Sequence, residues 1–192
     1  MQQNRKISNS QRNEIARALS AIGGEGVNTG VTLANGKIKD GNSRAETTST
    51  TDLGFLSDSN GNLTPTIKIT FNEKASTIDG EDVAHEATHA ANRMDLAPAL
   101  KRSASLEDYI NSPENITTYA NEYRAYMVGS AVSQGLERET YNANGVEYWN
   151  KGWSKTDRET KRQAGVNKVL REQYDVTSQQ GQQGKRLNEP RK

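Results

Sequence analysis

The stretch EDVAHEATHAANRMD, residues 81–95, has fewer ways to fold than any other part of this chain. It holds both histidines of the protein, His85 and His89, with Glu86 directly after the first. Alanine dominates the surrounding positions, and Asp79 offers an N-cap, so the pattern predicts a helix from about residue 80 to residue 92. Ala84, Ala87, Ala91 and Met94 recur at helical spacing and are its expected packing stripe. Small apolar flanks of this kind suit a helix buried beside a sheet.

Residues four apart on a helix lie on one face, so His85 and His89 can address a single metal ion through two imidazole nitrogens. Glu86 sits one residue further round the helix. It is badly placed to be a ligand and well placed to act as a general base on a water at the open side of the metal. Two histidines, a neighbouring glutamate and a zinc ion are the parts of metal-assisted peptide hydrolysis. A pattern as short as HExxH also arises by chance. Here both histidines of the chain are spent on it, the segment is independently helical, and its flanks are apolar.

Catalytic zinc usually has three protein ligands, and no third histidine or cysteine exists in this sequence. The third ligand is therefore expected to be a carboxylate. Asp95 completes HExxHxxNxxD, which resembles the longer metzincin run with Asn92 where that run has glycine. Glu122, in YANEYRAYMVG, would instead approach from a second helix, as in gluzincins. Glu122 has Tyr119 and Tyr126 on its own face and Ala125 close by, a surface suited to a tight helix crossing, and it is the favoured choice. Tyr126 is the expected oxyanion donor, since Arg124 points to another face of the same helix.

The rest of the chain supplies the scaffold. SNSQRNEIARALSAIGG predicts a short helix capped near Ser8 to Ser10, with Ile15, Leu19 and Ile22 as its stripe and Gly23-Gly24 as its stop. Residues 25–63 are rich in turn-forming types, which predicts short strands joined by polar loops, with turns at Asn35-Gly36, Asp40-Gly41 and Asn60-Gly61. DSNGN faintly resembles a calcium loop, but Ile69 occupies the place of the final glutamate, so a hairpin turn is expected. In TPTIKITFN, Ile67, Ile69 and Phe71 alternate with polar residues, which predicts a half-buried strand with Pro65 at a sheet edge. Residues 66–71 are thus an expected edge strand beside the metal helix, where a peptide substrate could add as a further strand. NSPENITTYANEYRAYMVGSAVSQG predicts a long helix capped by Ser112, with Pro113 at its first position and Gly135 at its end. EYWNKGW reads as core filling. A final helix has Ser154 and Asp157 as a capping box, with Val166, Leu170 and Tyr174 aligned. The expected organisation is a single domain over residues 1–177, polar and loop-rich in residues 1–60, with a disordered tail from 178 to 192.

Composition excludes several classes. Lys and Arg total 25 against 24 Asp and Glu, so the basic excess of a nucleic-acid binder is missing. There is no cysteine for disulfides or thiolate metal sites, and no apolar run of membrane-spanning length. The opening MQQNRKISNSQRN has no apolar signal core.

Taken together, VAHEATHAANRMD and TYANEYRAYMVG resemble the HExxH metallopeptidase domains at the C-terminal ends of bacterial polymorphic toxins, including Rhs-type and haemagglutinin-like secreted proteins. In those domains HExxH is followed, some tens of residues later, by a TEYRAY-like helix, and residues 121–126 match that element. The resemblance covers about residues 66–135. It implies an α+β zincin-like fold, a zinc ion, delivery into a target cell by a specialised secretion route, a protein or peptide substrate there, and a cognate immunity protein. The resulting expectation is a zinc metallopeptidase of the toxin or effector kind, with His85, His89 and Glu122 on the metal, Glu86 as base and Tyr126 assisting. A zinc amidase acting on peptidoglycan and a non-catalytic zinc-binding adaptor are the alternatives.

Overall fold

The structure is a computed structural model, and it describes residues 6–39, 43–51, 54–143 and 145–173. The predicted tail, Tyr174 and the Asp40-Gly41 turn lie outside the described residues. The architecture is mixed α+β, with small sheets and several helices. Helix α1 (Asn9–Ile22) is followed by five short strands, β1 (Thr32–Gly36), β2 (Ala45–Ser49), β3 (Phe55–Ser57), β4 (Leu63–Pro65) and β5 (Ile67–Asn72). Then come α2 (Gly80–Met94), α3 (Leu96–Arg102), α4 (Leu106–Ile110) and α5 (Thr118–Gly135). A hairpin of β6 (Thr140–Ala143) and β7 (Val146–Asn150) leads to α6 (Arg158–Gln173).

The three-stranded sheet has the order β1-β5-β2, with β1 parallel and β2 antiparallel to β5. This corrects the expected edge strand. Residues 67–72 occupy the centre of the sheet because their inward side chains, Ile67 and Ile69, are both 1% exposed and need cover on every side. The edge strand beside the histidine helix is β2, whose Thr47 reaches Glu86. Pro65 belongs to the separate β3–β4 pair. Asn35 and Gly36, expected to turn, instead continue β1 opposite Phe71 and Asn72. The Asn60-Gly61 turn does join β3 to β4, with the Asp58 carboxylate accepting from the backbone N–H groups of Asn60 and Asn62.

Helix α2 is enclosed by its neighbours. Ala90 and Ala91 pack with Ile67, Ile69 and Ala21, while Ala84 and Ala87 pack with Ala18 of α1 and Val128 of α5. The alanine stripe thus divides between two directions, and Ala91 faces the sheet and α1. Small side chains on every side let three elements approach one helix closely. The same preference explains α1. Its contact runs through Ala18 and Ala21, and Leu19, predicted to be in the stripe, is 42% exposed. Ser8 caps α1 in a reciprocal pair with Gln11.

Helix α5 starts later than expected. Thr117, not Ser112, is its N-cap, its hydroxyl accepting from the Ala120 N–H. Fully buried Asn115 donates to the Ile110 carbonyl and holds residues 112–116 in turns after α4, so the helix cannot begin before them. Helices α3 and α4 and the β6–β7 hairpin were not anticipated. The aromatic residues of β7 are core, with Tyr148 and Trp149 buried and the Trp149 Nε1–H donating to the Arg138 carbonyl. Val166 and Leu170 of α6 pack on this hairpin together with Tyr148. No helix among the described residues is long and apolar enough to cross a membrane.

Gly165 is where α6 meets β7. A Cβ there would lie 2.2 Å from the Glu147 carbonyl oxygen and 2.9 Å from the Tyr148 Cα, both backbone atoms. Gly165→Ala should therefore destabilise the protein by about 1–3 kcal/mol in urea unfolding, as overpacking does. Gly24→Ala, where a Cβ would meet nothing within 4 Å, should change stability by less than about 0.5 kcal/mol.

Candidate metal centre

Helices α2 and α5 pack side by side, and their contact places three side chains around one point. The Glu122 Oε2 lies 3.6 Å from the His85 Nε2 and 3.4 Å from the His89 Nε2. The three potential donor atoms all fall within 4.8 Å of one another. A tetrahedral zinc ion with bonds of about 2.0–2.2 Å would set its donors roughly 3.3–3.6 Å apart. The two separations to Glu122 fall within that spacing. Two imidazoles and one carboxylate are also a ligand set that zinc accepts. His85, His89 and Glu122 could therefore hold a metal ion.

Asp95 goes elsewhere. It caps the C-terminal end of α2, is about half exposed, and receives the Arg17 guanidinium at 2.7 Å. The turn back that a metzincin-like ligand needs does not occur, because α3 begins directly at Leu96. Asn92, the residue at the metzincin glycine position, remains helical and serves another purpose. Its side chain is buried, donates to the Asn121 Oδ1 at 2.7 Å, and accepts from Arg17 at 2.7 Å and Arg124 at 2.9 Å. This polar group ties α2 to α5 one residue before Glu122 and three residues after His89. No local pattern in the sequence marks this polar group. The only trace of it was Asn92 standing where the longer motif has glycine.

Electrostatics couple the three residues. Burial disfavours a charged His89, yet the Glu122 charge and a hydrogen bond to it prevail, with help from the nearby Glu86 and Asn121 side chains, and push its pKa up to about 9. Burial likewise opposes ionisation of Glu122. The His89 charge and hydrogen bonds from both imidazoles outweigh it and hold the carboxyl well below the usual range. The His89 Nδ1 is buried without a well-formed hydrogen bond among the described residues. The His85 ring packs edge-on against His89 at 4.8 Å and against Tyr126 at 4.6 Å between centroids, so Tyr126 stands at the site's margin, itself edge-on to Tyr148.

Glu86 is 7% exposed, and its Oε2 accepts a 2.7 Å hydrogen bond from the Thr47 hydroxyl of β2. It is close enough to His89 to favour that ring's charged form. A separate groove, about 1250 Å³ in volume, lies between α1, α5 and α6. Tyr119, Tyr123, Met127 and Arg158 line it, and none of the three candidate ligands does. Tyr119, expected on the Glu122 face, thus faces this groove, and its hydroxyl donates to Asn167. Comparison with known proteins found no matching family model, no similar curated protein and no similar solved structure.

The geometry separates the two carboxylate candidates by experiment. Glu122→Ala and His89→Ala should each weaken zinc binding by ~100-fold or more, whereas Asp95→Ala should stay within a few-fold of the parent. Competition with a chromogenic chelator, on variants shown by circular dichroism to be folded, measures this. A metal can bind His89 only after its proton leaves, so apparent zinc affinity should rise with pH up to about 9, by at most about one decade per pH unit. The same competition between pH 6 and pH 9 tests it, and an affinity flat across that range would contradict the proton-for-metal exchange.

Proposed function

We propose that this chain is a zinc-dependent peptidase with a zincin-like site, acting as a toxin or effector domain on a protein of a target cell. The observation that carries the reading is the convergence of His85, His89 and Glu122 from two helices, with the Glu86 carboxylate buried beside them. The toxin setting, the delivery route and an immunity partner rest on the sequence resemblance alone.

His85, His89 and Glu122 would hold the ion. Zinc bound there would supply Lewis acidity, polarising a peptide carbonyl and lowering the pKa of a bound water. The remaining chemistry falls to the protein. Glu86 takes the proton of the attacking water on its free carboxylate oxygen and passes it to the departing amine nitrogen, so the same group serves as base and then as acid. Tyr126, against His85, donates its phenol proton towards the developing oxyanion. The peptide lies along β2, which among the described residues pairs only with β5 and so offers an unpaired edge beside α2. That edge replaces the one expected from residues 66–71.

The test compares zinc-loaded protein with its Glu86→Gln form in a cell extract, labelling new protein N-termini and, separately, products released from peptidoglycan. Glu86→Gln should retain zinc and fold yet lose at least ~100-fold of the cleavage. New N-termini in proteins support the peptidase reading. Release from peptidoglycan alone supports an amidase. Zinc binding with no product in either assay points to an inert adaptor.

A further inference from the structure

The Thr47–Glu86 contact joins two parts of the chain 39 residues apart in sequence. Thr47 is the middle residue of β2, opposite Ile69 of the central strand, so its backbone is fixed by the sheet. Its hydroxyl lies 2.7 Å from the Glu86 Oε2 and 3.1 Å from the Glu86 backbone carbonyl. A hydroxyl has one proton to donate. The shorter contact and the charged acceptor assign that proton to the carboxylate. Among the described residues no hydrogen bond reaches the other oxygen, Oε1.

A glutamate side chain has three rotatable bonds, and a base that swings between rotamers spends little time in reach of the water. A single charge-assisted bond from a rigid strand removes much of that freedom. It also makes the two carboxylate oxygens unequal, one engaged by the protein and the other left to accept a proton.

We propose that Thr47 is a positioning residue for the proposed hydrolysis: its hydroxyl holds the Glu86 Oε2 so that Oε1 faces the reacting water. This inference rests on the peptidase reading above. Because Thr47 sits on the strand proposed to pair with the substrate, it also fixes the base relative to the peptide being cut. Among the described residues the Thr47 hydroxyl bonds only to Glu86, so its effect on the reaction passes through that side chain.

The experiment uses Thr47→Val, which keeps the β-branched shape and removes the hydroxyl, and Thr47→Ser, which keeps the hydroxyl. The first readout needs no activity. In protein carrying ¹³C-labelled glutamate carboxyl groups, the Glu86 signal is the one that vanishes in Glu86→Gln. It should move in Thr47→Val and return close to its parent position in Thr47→Ser. The second readout is kinetic, on a peptide spanning a cleavage site found in the extract assay. Thr47→Val should lower kcat by about 10-fold to 100-fold with KM and zinc content little changed, and Thr47→Ser should recover kcat to within about threefold.

An unmoved Glu86 signal in Thr47→Val overturns the contact. A moved signal with kcat within twofold of the parent overturns the positioning role, as does a kcat that rises. Failure of the peptidase reading looks different, since the parent itself would then cleave no better than Glu86→Gln.

Discussion

Everything in the candidate site depends on one partly buried carboxylate, that of Glu122, being held between two imidazoles. A charge removed from water needs compensation, and without a metal the proton on His89 supplies it. A metal ion bound there would therefore compete with that proton for the same place. The pKa displacements of His89 and Glu122 are two views of the same pairing, and both follow from the helix crossing that brings them to 3.4 Å.

The crossing in turn depends on small residues and on a polar lock. Ala84 and Ala87 of α2 and buried Ala125 of α5 keep side-chain bulk out of the contact region. Gly129 is under similar pressure, since a Cβ there would meet the Glu81 carbonyl oxygen at 3.3 Å and Tyr141 at 3.2 Å. Asn92 and Asn121 then fix how far one helix can slide along the other, and two arginines saturate the remaining Asn92 oxygen. Because Arg17 belongs to α1 and also binds Asp95, that helix is tied into the arrangement of the candidate metal ligands. Buried amides with several partners act through geometry, and a shift of one partner displaces the rest.

The parts of this site legible in the sequence were those with local causes. The four-residue spacing of His85 and His89, the Asp79 cap and the alanine run defined α2 almost to the residue. The absence of any third histidine or cysteine narrowed the remaining ligand to a carboxylate, and the short residues around Glu122 marked its helix as a crossing partner. What could not be read was non-local. Strand order in β1-β5-β2 is set by which strand most needs cover on both sides, and the good alternation of residues 67–71 says nothing about whether that strand is central or at an edge. Thr47 lies in a polar segment with no distinguishing pattern, and only its distant partner gives it meaning. The start of α5 went wrong because Ser112-Pro113 is a sound capping signal locally. Asn115, buried under the preceding turn, overrides it.

The central claim is that two histidines and Glu122 form one metal centre. Anomalous scattering at the zinc edge, from crystals of the full chain grown with zinc, tests it most directly. One peak is predicted, about 2.0–2.2 Å from the Nε2 atoms of His85 and His89 and from a carboxylate oxygen of Glu122. A peak bound to the two histidines and Asp95 with Glu122 turned away, or no peak between the histidines at all, would contradict the account.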